Sequence, residues 1–234
     1  MGMVIDLDKR IIGGHECERQ YHIELKVIPT VGPASFCGGS LISTKWILTA
    51  AHCLKPYASL FVNLGGSQVK IRAEPVIYTD NSNSSKERPH DIMLLELPRS
   101  FDITPLKLPD CGTHPQTLEI AGHAATTSGI NNIRKPAKSP DLHCAEINIV
   151  DCDELKNTLK DKYPNAYKVK IYQHWFCGQM AGVDICFVSL ETPVEELYIK
   201  TQFMVSFLFL GILNMYVENQ LHSWTSAIQN MHLG

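Results

Sequence analysis

What the sequence lacks narrows the field first. Its eight cysteines include no CxxC pair, so the closely spaced ligands typical of structural zinc sites are missing, and scattered disulfides explain the cysteines better. No metal ion and no cofactor are implied. The formal charge is only −3 at pH 7, without a long run of one sign, which implies neither a nucleic-acid partner nor a polybasic membrane anchor. The most apolar stretch, Phe203–Val217, is 15 residues long, short of the roughly 20 that a helix needs to cross a bilayer. The first ten residues, MGMVIDLDKR, hold no apolar run of the kind that forms a secretory signal. That absence conflicts with the oxidising compartment that disulfides require. Either the chain starts downstream of its exported beginning, which we expect, or it is a cytosolic protein with reduced thiols.

What is present reads as a β protein. With 234 residues and 44% hydrophobic content, the chain can fill one sizeable core or two small ones. Short runs rich in β-branched residues recur at Tyr21–Ile28, Ser40–Leu48, Leu60–Leu64, Gln68–Ile77, Ile92–Leu97, Leu118–Ala121 and Glu146–Val150. Gly, Pro, Asn and Asp cluster between them, which predicts antiparallel strands joined by hairpins. Only Asp151–Tyr163 offers a helix, opening on acidic residues with Leu155 and Leu159 one turn apart. The expected fold class is all-β, with room for two barrels of diverged sequence.

Four stretches carry candidate chemistry. Trp46–Cys53, WILTAAHC, follows Cys37-Gly38-Gly39-Ser40-Leu41. A strand, a turn of small residues and a histidine beside a cysteine can hold one imidazole rigidly at a sheet edge. His90–Leu97, HDIMLLEL, places an aspartate at the head of an apolar strand, where a carboxylate is costly unless hydrogen-bonded. Lys9-Arg10 precedes Ile11-Ile12-Gly13-Gly14, and Cys177-Gly178 precedes Asp184-Ile185-Cys186.

Together these stretches resemble the trypsin and chymotrypsin family of serine proteases. The resemblance implies a fold of two antiparallel β-barrels and cleavage of peptide or protein substrates. His52 matches the general base, and Asp91 matches the aspartate that fixes the base's tautomer and stabilises its imidazolium. Arg10–Ile11 matches the activation cleavage site. Asp184 matches the base of the specificity pocket and implies a preference for Lys or Arg side chains. The family pattern pairs Cys17 with Cys144, Cys37 with Cys53 and Cys152 with Cys177, and implies a secreted protein. Asn83-Ser84-Ser85 fits an N-glycosylation acceptor, and Gly65–Ile71 has no counterpart of the acidic calcium loop of trypsins. His123 stands where the family usually has tryptophan.

The resemblance stops after Cys186. Where the family reads C-Q-G-D-S-G-G-P, this chain reads Cys186-Phe187-Val188-Ser189-Leu190-Glu191-Thr192-Pro193. In register, Leu190 replaces the nucleophilic serine. Ser189 replaces the aspartate that receives the new N-terminus, and Val188 replaces a glycine of the oxyanion hole. Without a nucleophile, His52 has no hydroxyl proton to take and no acyl-enzyme can form. Cys111 and Cys186 lose the partners expected further on, and could bridge each other.

The expected organisation is a propeptide remnant over 1–10, a protease domain over 11–187 and a divergent apolar tail over 188–234, with the second barrel incomplete. Val188-Ser189 is also what a common intron start encodes in frame, so the tail reads as translated intron or as a newly evolved segment. Three functional readings follow: a trypsin-like endopeptidase domain made inactive, a non-catalytic homologue that binds substrates or inhibitors of such proteases, and a membrane-tethered remnant. A membrane partner is the least favoured of these.

Overall fold

The computed structural model describes residues 14–80, 88–107, 116–123, 127–128, 134–135, 141–170, 175–181 and 203–206. Arg10, Ile11, Asn83, Cys111, Asp184, Cys186, Ser189 and Leu190 lie outside these residues.

The first half of the chain builds a seven-stranded antiparallel sheet. Its strands are β2 (His22–Ile28), β3 (Ser35–Leu41), β4 (Trp46–Thr49), β5 (Ser59–Leu64), β6 (Ser67–Lys70), β7 (Val76–Asp80) and β8 (Arg88–Glu96). They lie in the order β6-β5-β2-β3-β4-β8-β7. The period of two explains the strands: in β2, Ile23, Leu25 and Val27 are fully buried while Glu24 and Lys26 are only half-buried. Leu41, Ile47, Leu60, Val62, Met93 and Leu95 fill the same core. Ile71 beyond β6 and Val76 on β7, at opposite ends of the hydrogen-bonded path, also pack into it. The sheet therefore curls around one core in the manner of a barrel.

Two expected strands divide. Ser40–Leu48 is not one run but the facing ends of β3 and β4, because Ser43 Oγ accepts the backbone N–H groups of Lys45 at 3.2 Å and Trp46 at 3.1 Å and so turns the chain. Gln68–Ile77 divides into β6 and β7 around Pro75, which cannot donate to a ladder. Between β5 and β6, Gly65 and Gly66 adopt φ of 53° and 75°, the left-handed pair that a two-residue hairpin turn demands.

A second, five-stranded sheet comprises β1 (His15–Glu16), β9 (Thr117–Gly122), β12 (His143–Val150), β13 (Trp175–Gln179) and β14 (Phe203–Ser206). A separate two-stranded ribbon joins β10 (Thr127–Ser128) and β11 (Arg134–Lys135). Strand β12 pairs with β1, β9 and β13. Strand β14 opens the apolar tail and pairs with β13, Phe203 opposite Gly178 and Ser206 opposite Trp175. The segment before β2 ties the two sheets together: β1 belongs to the second sheet, and the Arg19 guanidinium donates to Glu119 Oε1 on β9 at 2.6 and 2.9 Å.

The expected helix forms as α1 (Asp153–Lys162). Asp151 Oδ1 accepts the Asp153 N–H at 2.6 Å, and acidic residues at the start with lysines at the end suit the helix dipole. A second helix, α2 (Pro164–Lys170), was not expected. Pro164 at its first position is the signal, since a helix leaves that N–H unpaired in any case. Three disulfides close the described frame, Cys17–Cys144, Cys37–Cys53 and Cys152–Cys177. The fold is all-β with antiparallel sheets. No helix among the described residues is long and apolar enough to cross a membrane.

Candidate active site

The register of the first sheet brings His52 and Asp91 together. Thr49 at the end of β4 faces Met93 on β8. The strands are antiparallel, so the residues just after Thr49 lie beside those just before Met93. After β4 the chain makes a single 3-10 turn, Ala51–Cys53, which carries the histidine. Asp91 stands inside β8, which begins at Arg88, rather than at its head.

The carboxylate of Asp91 meets the histidine twice. Asp91 Oδ1 accepts the backbone N–H of His52 at 2.8 Å, and Oδ2 lies 2.9 Å from His52 Nδ1. The first bond fixes the turn and the second fixes the ring. An imidazole whose Nδ1 faces a carboxylate holds its proton there and presents an Nε2 lone pair. The side chain of His52 is 49% exposed and that of Asp91 16%, so the imidazole reaches solvent while its partner is shielded. Chemically, the pair can accept a proton at Nε2 and stabilise the resulting imidazolium.

The surroundings are rigid. Thr49 is fully buried, and its Oγ1 donates to the carbonyl of Gly38 at 2.8 Å, locking β4 to β3 immediately before the turn. The sequence reading passes over Thr49, although it lies within WILTAAHC. Gly39 is required by close approach: a Cβ there would lie 3.0 Å from the Leu48 carbonyl oxygen and 3.0 Å from Ile23 Cδ1. The Cys37–Cys53 disulfide sits beside the histidine, and one donor atom each from Cys37, His52 and Cys53 lie within 4.8 Å of one another.

The other predicted site residues fall elsewhere. Arg10, Ile11, Asp184 and Leu190 are outside the described residues, so the structure places neither the activation site nor the specificity pocket. Cys177, which precedes that pocket in sequence, is buried in its disulfide with Cys152.

Comparison with known proteins gives a consistent result. The Trypsin family model matches residues 11–187. Kallikrein-8 of Homo sapiens is 30% identical, the match covering 76% of this chain and 69% of the relative. Thrombin-like enzyme gyroxin B1.3 of Crotalus durissus terrificus is 32% identical over 75% of this chain and 69% of its own. Snake venom serine protease BITS01A of Bothrops insularis is 33% identical, covering 60% and 56%. Among solved structures, a scabies mite inactivated protease paralogue superposes with a TM-score of 0.54 at 19% identity, covering 93% of this chain and 97% of that one. HL collagenase gives 0.51 at 23% identity, covering 72% and 73%.

Proposed function

Because the chain belongs to the trypsin family, we propose that its serine protease domain keeps the general base and its orienting carboxylate but performs no turnover for want of a nucleophile. The carrying observation is the pairing of His52 with Asp91 in a chain whose sequence supplies Leu190, and no serine, at the position in register with the attacking hydroxyl. A base with no hydroxyl to deprotonate cannot start acyl transfer. Water attack in its place would lack the oxyanion donors, and removing even one such donor costs about 10²–10³ in rate. Ser189 does not substitute, because one residue along a chain redirects the side chain and near-attack geometry tolerates little displacement.

What remains without turnover is recognition. The domain binds peptides, or inhibitors that present a Lys or Arg side chain, with Asp184 supplying the complementary charge. Cleavage after Arg10 would free the Ile11 amine as in activated relatives, but Ser189 offers it no carboxylate, so cleavage leaves the domain inactive. Three disulfides suit a secreted protein. The pairing of β14 with β13 supports reading the tail as part of the fold rather than as a membrane tether.

The test is to express residues from Ile11 onward under oxidising conditions with a free N-terminus. An arginine-peptide ester and a serine-directed phosphonate label are then applied. The expected result is no hydrolysis and no labelled serine. Hydrolysis with a labelled serine would overturn the register after Cys186 and with it the proposal.

A further inference from the structure

We propose that the outer face of β3, β2, β5 and β6, with the two loops at its end, docks an extended acidic segment of a partner protein that carries apolar side chains among its carboxylates. The surface uses neither His52 nor Asp184, so it stands apart from the reading above. Among the described residues the exposed large apolar side chains are Ile28, Val31, Phe36 and Tyr57, and they gather at one end of this face. Ile28 closes β2 opposite Ser59 of β5, Val31 lies in the connection from β2 to β3, and Phe36 lies on β3. Thr30 Oγ1 donates to the Tyr57 carbonyl at 3.5 Å, which sets that connection against the loop ahead of β5. Apolar side chains scattered singly over a surface are ordinary, whereas a gathered group marks a contact surface.

Tyr57 is an independent sign. It is the one residue other than glycine with a positive φ among the described residues, at 57°, a conformation that bulky side chains avoid. Its side chain is nevertheless held in solvent, with the residue 92% exposed, so no packing within the chain offsets the strain. Strain kept without an internal contact points to an external one.

The register extends the patch into a row. Phe36 on β3 faces Lys26 on β2, Lys26 faces Phe61 on β5, and Phe61 faces Lys70 on β6. Directly opposed residues point to the same side of a sheet. Their neighbours Leu25, Val27, Leu60 and Val62 fill the core, so the row lies on the outer face. Lys70 Nζ is 5.8 Å from the centroid of the Phe61 ring, over the face of the aromatic. The charge is of one sign: from Leu25 to Ala73 the sequence holds Lys26, Lys45, Lys55, Lys70 and Arg72 but no Asp or Glu. Of these, Lys45 is paired with Glu96. The next acid on β2, Glu24, accepts from Asn63 Nδ2 at 2.9 Å. Complementarity therefore selects an anionic partner, and the exposed apolar side chains select a peptide over a sulfated glycan. Neighbouring strands stand about 4.8 Å apart, so the two phenylalanine positions are about 10 Å apart along the row, as are the two lysine positions. A chain extended at about 3.3 Å per residue covers that distance in three residues. A segment crossing the strands matches the row with an apolar side chain at every third position and carboxylates between.

The test titrates the full oxidised chain into a fluorescein-labelled peptide, Leu-Glu-Glu repeated three times, and reads fluorescence anisotropy. Peptides with Ser for Leu, Gln for Glu or Lys for Glu, and a fluorescent heparin fragment, are run beside it. The expected result is saturable binding of the first peptide, weakened about 10-fold or more in each altered peptide. Val31→Ser should weaken it about 10-fold, Lys26→Glu with Lys70→Glu should abolish it, and Lys160→Glu on α1 should leave it unchanged. Tyr57→Gly removes the ring and accepts the positive φ, so it should weaken binding about 10-fold while holding or raising the urea midpoint. No binding, equal binding by the Val31, Tyr57 or paired-lysine variants, or a fall in the Tyr57→Gly midpoint would overturn the proposal. Heparin binding that responds to the lysines alone, or a dimer of the chain that Tyr57→Gly dissolves, would also overturn it by assigning the surface to a glycan or to a second copy. The probe contains no Lys or Arg and the readout is not hydrolysis, so failure of the reading at Asp184 or residue 190 leaves this result unaffected.

Discussion

His22 gives the sharpest stability prediction. It opens β2 opposite Ser40 on β3, and its Nδ1 is buried without a hydrogen-bond partner. The ring of His123 lies 5.5 Å away, centroid to centroid. Burial, and secondarily the charge of His123, push its pKa down to about 4, against about 6.5 in the unfolded chain. The native state therefore binds fewer protons than the unfolded state between these two values, and stability must fall as pH falls through that window. Above pH 6.5 both states hold neutral imidazole and there is no loss. Below about pH 4 both are protonated and the loss is complete, at about 3 kcal/mol for this one group. At pH 4.5 the loss relative to pH 7.5 is about 2.5 kcal/mol, or about 1 M in urea midpoint for a slope of 2–3 kcal/mol/M. Replacing His22 with phenylalanine keeps a ring in the site and removes the titration. It also removes an unpaired buried nitrogen, so stability at pH 7.5 should hold or rise. The assay is urea unfolding at both pH values, followed by tryptophan fluorescence, since Trp46 packs on the core of the first sheet. His22→Phe should lose most of the excess acid sensitivity. Equal pH dependence in the two proteins would refute the reasoning and move the acid-sensitive group elsewhere.

Three further outcomes are expected. Gly39→Ala should destabilise by about 1–3 kcal/mol, since a carbonyl oxygen at 3.0 Å from the added Cβ belongs to the sheet and cannot swing aside; thermal unfolding checks this. Removing the Cys37–Cys53 bridge, with a sequence separation of 16, should cost less than removing Cys17–Cys144, with 127, about 3 against about 5 kcal/mol by loop entropy, measured by urea unfolding of the paired Cys→Ala variants. If the proposed register holds, Leu190→Ser alone should leave ester hydrolysis undetectable, because Val188 and Ser189 still depart from the two neighbouring roles; only a variant that restores all three tests recovery of turnover.

The sequence shows some features directly and hides others for physical reasons. His52 and Asp91 were legible because each lies in a local motif, and their meeting follows from the antiparallel register of β4 and β8. Strand centres were legible from period two, as in Ile23, Leu25 and Val27. Strand ends were not: Ser43 ends β3 through its hydroxyl and Pro75 separates β6 from β7, both short-range effects that override an apolar run. The second helix was missed because its seven residues carry no clear apolar face, leaving Pro164 as its only mark. Thr49 escaped notice because its value lies in one hydrogen bond to Gly38, a residue eleven positions away.

The intact geometry of the base pair is itself no sign of activity. His52 follows β4, Asp91 lies on β8, and the core beneath them is filled by residues between Ile23 and Leu97. Among the described residues, that core draws on none beyond Leu106. On the proposed reading, a change confined to the segment after Cys186 removes the group the imidazole would serve, while the contact of Asp91 with His52 Nδ1 is made within the first sheet. The oriented base therefore reports on descent and on the stability of the first sheet. In the proposed register, competence for catalysis turns on the residues around position 190.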